Sequence, residues 1–171
     1  MPATYEPIAT TTLSTTSTSI AFTNIPGTYT DLVLKVVFRV TTITGGIVTI
    51  NGDINANYSR ISLNGNGTAG VTSNNSTNDS DGITWSSGFS AATTSQVGWT
   101  IMEFDFFSYT NSTFKTALQR WSNDLNGSGQ VNVHANLWRS TSAITSIDIN
   151  SYGQNVLAAG STATLYGIKA A

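Results

Sequence analysis

The chain of 171 residues contains no cysteine, a single histidine, three prolines and only 9% charged residues, where an ordinary soluble domain carries roughly 25%. Without cysteine there is no disulfide framework, thiolate metal site or thiol nucleophile, and the redox compartment leaves no mark on the sequence. A formal net charge of −2 and a pI near 5.0 supply no basic field, which excludes nucleic acid and anionic membrane as expected partners. Long hydrophobic runs are missing too. The best candidate, Leu32 to Val40, is interrupted by Lys35 and Arg39 and falls short of the roughly 18 apolar residues of a membrane helix. Met1 to Pro7 lacks the cationic start and apolar stretch of a secretory signal, so a soluble protein with a cytoplasmic start is expected.

What fills the chain is Thr, Ser, Asn and Gly around short runs of β-branched and aromatic residues, with four Trp, six Tyr and seven Phe to supply a core. Two-residue alternation recurs and no stretch keeps a helical period for three turns, which predicts an all-β fold. Strands are expected at Ile8 to Leu13, Ser17 to Phe22, Leu32 to Thr41, Ile47 to Ile50, Tyr58 to Leu63, Thr100 to Ser108, Phe114 to Trp121, Val131 to Trp138, Ile144 to Asn150 and Thr162 to Ile168. Turn signals at Asn24-Ile25-Pro26-Gly27, Asn51-Gly52-Asp53, Asn126-Gly127-Ser128-Gly129 and Ala159-Gly160 separate them. So many strands without helices point to an antiparallel two-sheet β-sandwich, jelly-roll-like, with a closed barrel as second choice. The length and the absence of a repeat or linker suggest a single domain over residues 1 to 171. Met1 to Pro7, with two prolines, is expected to form an extended N-terminal arm that offers Tyr5 to a neighbouring subunit. From Asn64 to Ser95 the composition turns to Asn, Gly, Ser, Thr and Asp. That stretch reads as a long loop or weak hairpin pair and a candidate exposed recognition surface anchored by Trp85 and Phe89.

Few motifs carry chemistry. Gly65-Asn66-Gly67-Thr68-Ala69-Gly70 matches the dinucleotide fingerprint as a string, but the following residues have no helix composition with which to face a pyrophosphate. Asn78-Asp79-Ser80-Asp81-Gly82 resembles part of a calcium loop and lacks the closing bidentate Glu. Glu103 and Asp105 lie two apart on one strand face, a spacing that would suit paired glycosidase carboxylates. Cross-strand ion pairing with Lys35, Arg39 or Arg60 is the simpler use of both. His134 alternates with Val131, Val133, Ala135 and Leu137, which places it away from the main core. With no Gly-x-Ser-x-Gly elbow for a hydrolase triad, it reads as a surface or interface histidine. Trp138 shares its face and Arg139 follows, residue types that anchor protein interfaces. Asn57-Tyr58-Ser59, Asn66-Gly67-Thr68 and Asn111-Ser112-Thr113 are taken as composition, not as glycosylation sites.

The opening Tyr5-Glu6-Pro7-Ile8-Ala9-Thr10-Thr11-Thr12-Leu13, the segment Ile25-Pro26-Gly27-Thr28-Tyr29-Thr30-Asp31-Leu32-Val33-Leu34, the run Leu137-Trp138-Arg139-Ser140-Thr141 and the closing Leu165-Tyr166-Gly167-Ile168-Lys169-Ala170-Ala171 together resemble a group of small tailed-bacteriophage virion proteins, common in phages of cyanobacteria. Asn51-Gly52-Asp53 followed by Asn57-Tyr58-Ser59 resembles the same group, and Asn64 to Ser95 matches it least. The resemblance spans nearly the whole chain and implies a non-enzymatic virion component with no catalytic residues and no cofactor. The first expectation is a capsid decoration (cement) protein, made in the host cytoplasm and bound on the capsid surface. It would be a homo-oligomer, trimer ahead of dimer, in contact with the major capsid protein or another virion protein through Tyr5, His134, Trp138 and Arg139. The alternative is a tail or fibre component that recognises host glycan with Trp85, Phe89, Trp99 or Trp121 as stacking platforms. A third reading, a polysaccharide-cleaving enzyme, rests on Glu103 and Asp105 alone.

Overall fold

A computed structural model describes residues 4–40, 45–67, 70–85, 98–124, 129–151 and 157–169. Those residues form twelve strands: β1 (Tyr5–Thr12), β2 (Ser19–Phe22), β3 (Asp31–Phe38), β4 (Gly46–Ile50), β5 (Tyr58–Gly65), β6 (Thr72–Asp79), β7 (Ile83–Trp85), β8 (Thr100–Phe107), β9 (Lys115–Asp124), β10 (Gly129–Trp138), β11 (Ile147–Ser151) and β12 (Thr162–Ile168). They make two antiparallel sheets. The wide one runs β1-β12-β3-β8-β9-β10-β5-β6 and the narrow one β2-β11-β4-β7. The two-sheet, all-β expectation holds; the strand order adds no support for jelly-roll connectivity. No helix among the described residues is long and apolar enough to cross a membrane.

The core lies between the sheets and follows from alternation. In β3 and β8, Leu32, Leu34, Val36 and Phe38 meet Met102, Phe104 and Phe106 on the inward face, all essentially fully buried. Opposite them the narrow sheet presents the row Ile20, Ile149, Val48 and Ile83, one residue from each of its four strands. Trp85 closes this layer. It packs against Phe38 with ring centroids 5.6 Å apart and lies over Gly46, where an added Cβ would sit 2.0 Å from the indole. Only a glycine lets the ring approach β4 so closely.

Side-chain hubs fix the connections. Asn51 and Gly52 both have positive φ, 53° and 65°, the requirement of the tight turn the Asn-Gly pair predicts. The Asn51 Oδ1 then accepts from the backbone N–H groups of Thr145 at 2.8 Å and Ser146 at 3.0 Å, and its Nδ2 donates to the Ala143 carbonyl at 2.7 Å. Buried Lys115 donates to the carbonyls of Asn111 and Thr113 at 2.6 and 2.5 Å, which satisfies an ammonium that burial holds below its ordinary pKa.

Three expectations need correction. Of the expected arm, Tyr5 to Pro7 are not free: β1 begins at Tyr5 and pairs with β12, with Pro7 at a register shift of this edge strand, where a missing N–H is tolerated; Met1 to Ala3 lie outside the described residues. For Asn64 to Ser95 the single-loop reading fails and the hairpin reading holds among the described residues, since β6 pairs antiparallel with β5 and β7 with β4. The all-polar sequence of β6, Thr-Ser-Asn-Asn-Ser-Thr-Asn-Asp, hides an outermost strand whose backbone supplies the pairing. Trp85 is 1% exposed and belongs to the core, not to a recognition surface. Phe89, the other half of that expectation, lies outside the described residues.

Candidate functional site

The two faces of the wide sheet carry polarity in an unusual order. Register across β12, β3, β8, β9, β10, β5 and β6 sets Leu165, Leu34, Phe104, Gln119, His134, Ser62 and Asn74 in one inward row. The row begins as hydrocarbon and ends as amide, imidazole and hydroxyl. Asn132, Asn136 and Asn123 share that inward face and are buried. Asn136 Nδ2 reaches Gln119 Oε1 at 3.4 Å and Gln119 Nε2 reaches Met102 Sδ at 3.5 Å. Among the described residues neither ring nitrogen of His134, 2% exposed, has a hydrogen-bond partner. Burial, aided by the nearby Arg60 charge, lowers its pKa to about 4, so the imidazole is neutral near pH 7.

His134 was expected on the outward face. The structure inverts that assignment: Val131, Val133 and Ala135 face out while Asn132, His134, Asn136 and Trp138 face in. Alternation states which residues share a face and not which face is covered. Trp138 was the available clue, because it shares parity with His134 and is buried.

Trp138 and Arg139 are likewise spent inside the molecule. The Trp138 indole N–H donates to Asp53 Oδ2 at 2.8 Å and its ring stacks on Tyr58. The Arg139 guanidinium donates to the Ser59 hydroxyl, to the Ala56 carbonyl at 2.7 Å and to Asn78 Oδ1 at 2.9 Å, clipping the 56–59 segment to the end of β6. Of the four expected interface residues only Tyr5 is open, 56% exposed and edge-on to Tyr166. Among the expected glycan platforms, Trp85 and Trp121 are buried, and half-exposed Trp99 lies under the Arg39 guanidinium at 5.4 Å.

Asp53 is a residue that sequence reading placed only in a turn. Burial pushes its carboxyl up, but hydrogen bonds from Asn57, Trp138 and Asn55 outweigh that and hold it at about 2. Replacing it with alanine strands the Trp138 N–H and releases the 53–57 turn. Asp53→Ala is expected to cost about 2 kcal/mol, read as a lower denaturant midpoint at unchanged m-value.

On the outward face, Glu103 and Asp105 both accept from the Arg120 guanidinium, at 2.9 Å for Asp105, and Lys35 lies 3.2 Å from Glu103. Both carboxylates are therefore ion-paired across strands, with Arg120 in the place expected for Arg39 or Arg60. Around these charges the sheet shows hydrocarbon to solvent: Ile61 is 62% exposed, Ile101 60% and Val131 63%, with Leu63, Val37, Val133 and Phe107 also uncovered. The Gly65 to Gly70 string leads into β6 and not into a helix, so no helix N-terminus follows it. Comparison with protein-family models, with curated proteins and with solved structures finds no match.

Proposed function

We propose that the chain is a non-enzymatic structural protein of a phage virion, a capsid decoration protein that binds the major capsid shell and associates with copies of itself. The observation that carries the reading is the outward face of the wide sheet. Strands β3 and β8 hold Val37 and Ile101 exposed, and β10 and β5 hold Val131, Val133, Leu63 and Ile61, on the same face, with Ser122 and Arg120 of β9 between the two groups; so much exposed hydrocarbon on one face marks protein contact. The charges among them are compensated in place by the Lys35, Glu103, Arg120 and Asp105 cluster. Such a face gives little long-range pull on a charged ligand and offers both signs for a self-complementary or subunit contact. Tyr5, at the sheet's first strand, extends the same side, because its partner Ile168 shares the outward parity of Tyr166.

The resemblance of the two ends of the chain to small virion proteins points the same way. Electron microscopy of particles labelled with an antibody to this chain tests the location: label distributed over the head is expected, and label confined to the tail overturns the decoration reading.

A further inference from the structure

The inward polar region opens into a cleft of about 370 Å³ between β10, β5 and β6, lined by Arg60, Ser62, Asn64, Asn74, Gln130 and His134 among others. That volume sits at the small end of the range for ligand sites. His134 reaches the cleft with both ring nitrogens unpartnered among the described residues, although it is 2% exposed. A buried polar group in that state is costly unless something supplies its hydrogen bonds. Ser62, also buried, holds the strand pair together, donating to the Asn74 carbonyl at 3.3 Å and accepting from Asn64 Nδ2 at 3.4 Å. Arg60 makes one long bond, 3.4 Å to the Thr84 carbonyl, and has no carboxylate partner among the described residues.

The chemistry of the lining selects a ligand class. No described carboxylate lines the cleft and no group of three metal-ligating side chains exists among the described residues, so the lining lacks the oxygen anions a divalent cation needs. A phosphate ester calls for more positive charge or a nest of backbone N–H groups. An apolar ligand would leave the amides unsatisfied. Carboxamides present a donor and an acceptor side by side, the complement of neighbouring hydroxyls, and a neutral imidazole does the same. One guanidinium matches one carboxylate bidentately.

We propose that this cleft binds one carboxylate-bearing pyranose unit, a uronic acid, with Arg60 on its carboxylate and His134, Asn74 and Gln130 on its hydroxyls. The site lies on the opposite face of the sheet from the apolar surface, so it stands or falls independently of the virion reading. The test is NMR titration of the full chain with D-glucuronate, D-glucose and inorganic phosphate. Saturable shifts of the His134 imidazole and the Arg60 side chain are expected with glucuronate, at least tenfold tighter than with glucose. Arg60→Gln should reduce glucuronate affinity about tenfold, to the glucose level. Asn74→Ala, at an exposed edge position, should weaken both sugars while leaving the melting temperature in place. Absence of saturable shifts at His134 with either sugar overturns the proposal. So does equal binding of both sugars in the wild type, or phosphate shifting the same resonances as strongly as glucuronate.

Discussion

Trp85→Ala is expected to lower the unfolding free energy by about 3–5 kcal/mol, a large share of the 5–15 kcal/mol typical of a whole domain. The indole is 1% exposed, sits against Phe38 and covers Gly46, so its removal opens a cavity where the narrow sheet meets the wide one, and rigid strands on both sides limit collapse into it. A companion change separates packing from composition. Gly46→Ala drives a methyl group into the ring from the other side and also to 2.5 Å from the Asn150 carbonyl oxygen, so it destabilises by overpacking. In the Trp85→Ala background the ring overlap disappears and only the backbone approach remains, which makes the two losses less than additive. Denaturant unfolding of the three variants checks this. A Trp85→Ala chain that unfolds at the wild-type midpoint would place the indole at an exposed surface, as sequence composition alone suggests.

Acidification from pH 7 to pH 4 is expected to remove about 2–3 kcal/mol through His134. The sign follows from its lowered pKa. Burial first, and the Arg60 charge second, hold the folded imidazole at about 4 against an ordinary value of 6.5. Between those values the unfolded chain binds the proton and the folded chain does not, so stability is full above pH 6.5 and falls as the pH drops toward 4. His134→Gln should flatten this window, whatever its effect at pH 7. Asp53 acts in a separate window, because its carboxyl is held at about 2 against 3.8. Its contribution is present above pH 3.8 and lost as the pH falls through 2, in both chains. Burial raises the carboxyls of Asp105 and Asp148, so acid favours the fold at those two, and comparing His134→Gln with wild type cancels them. Melting curves at half-unit pH steps provide the measurement; parallel profiles for the two chains would contradict a buried neutral imidazole.

How much of this was legible beforehand depended on whether a strand's two faces differ. β3 and β8 alternate with their bulky residues on one parity, and that parity, Leu32, Leu34, Val36 and Phe38 with Met102, Phe104 and Phe106, is the buried one. β10 has Val131, Val133 and Leu137 on one parity and Asn132, His134, Asn136 and Trp138 on the other. There hydrophobicity alone chose the wrong face, since what buries the polar side is the sheet's position and not its composition. β6 carries almost no β-propensity and exists because β5 offers it an edge. The cleft was invisible for the same reason: Arg60, Asn74 and His134 are far apart in sequence, and only the β10-β5-β6 register brings them together. The Asn51-Gly52 turn and the antiparallel, helix-free character were plain from local chemistry.

Sedimentation with phage heads stripped of this chain probes the proposed attachment to a shell through the outward face of the wide sheet. Wild-type protein should pellet with the heads saturably. The double variant Ile101→Lys, Val131→Lys, altering two side chains that are more than half exposed and so leaving the melting temperature within a few degrees, should lose at least tenfold in apparent affinity. Wild-type protein left in the supernatant, or a double variant that saturates the heads as the wild type does, would contradict it.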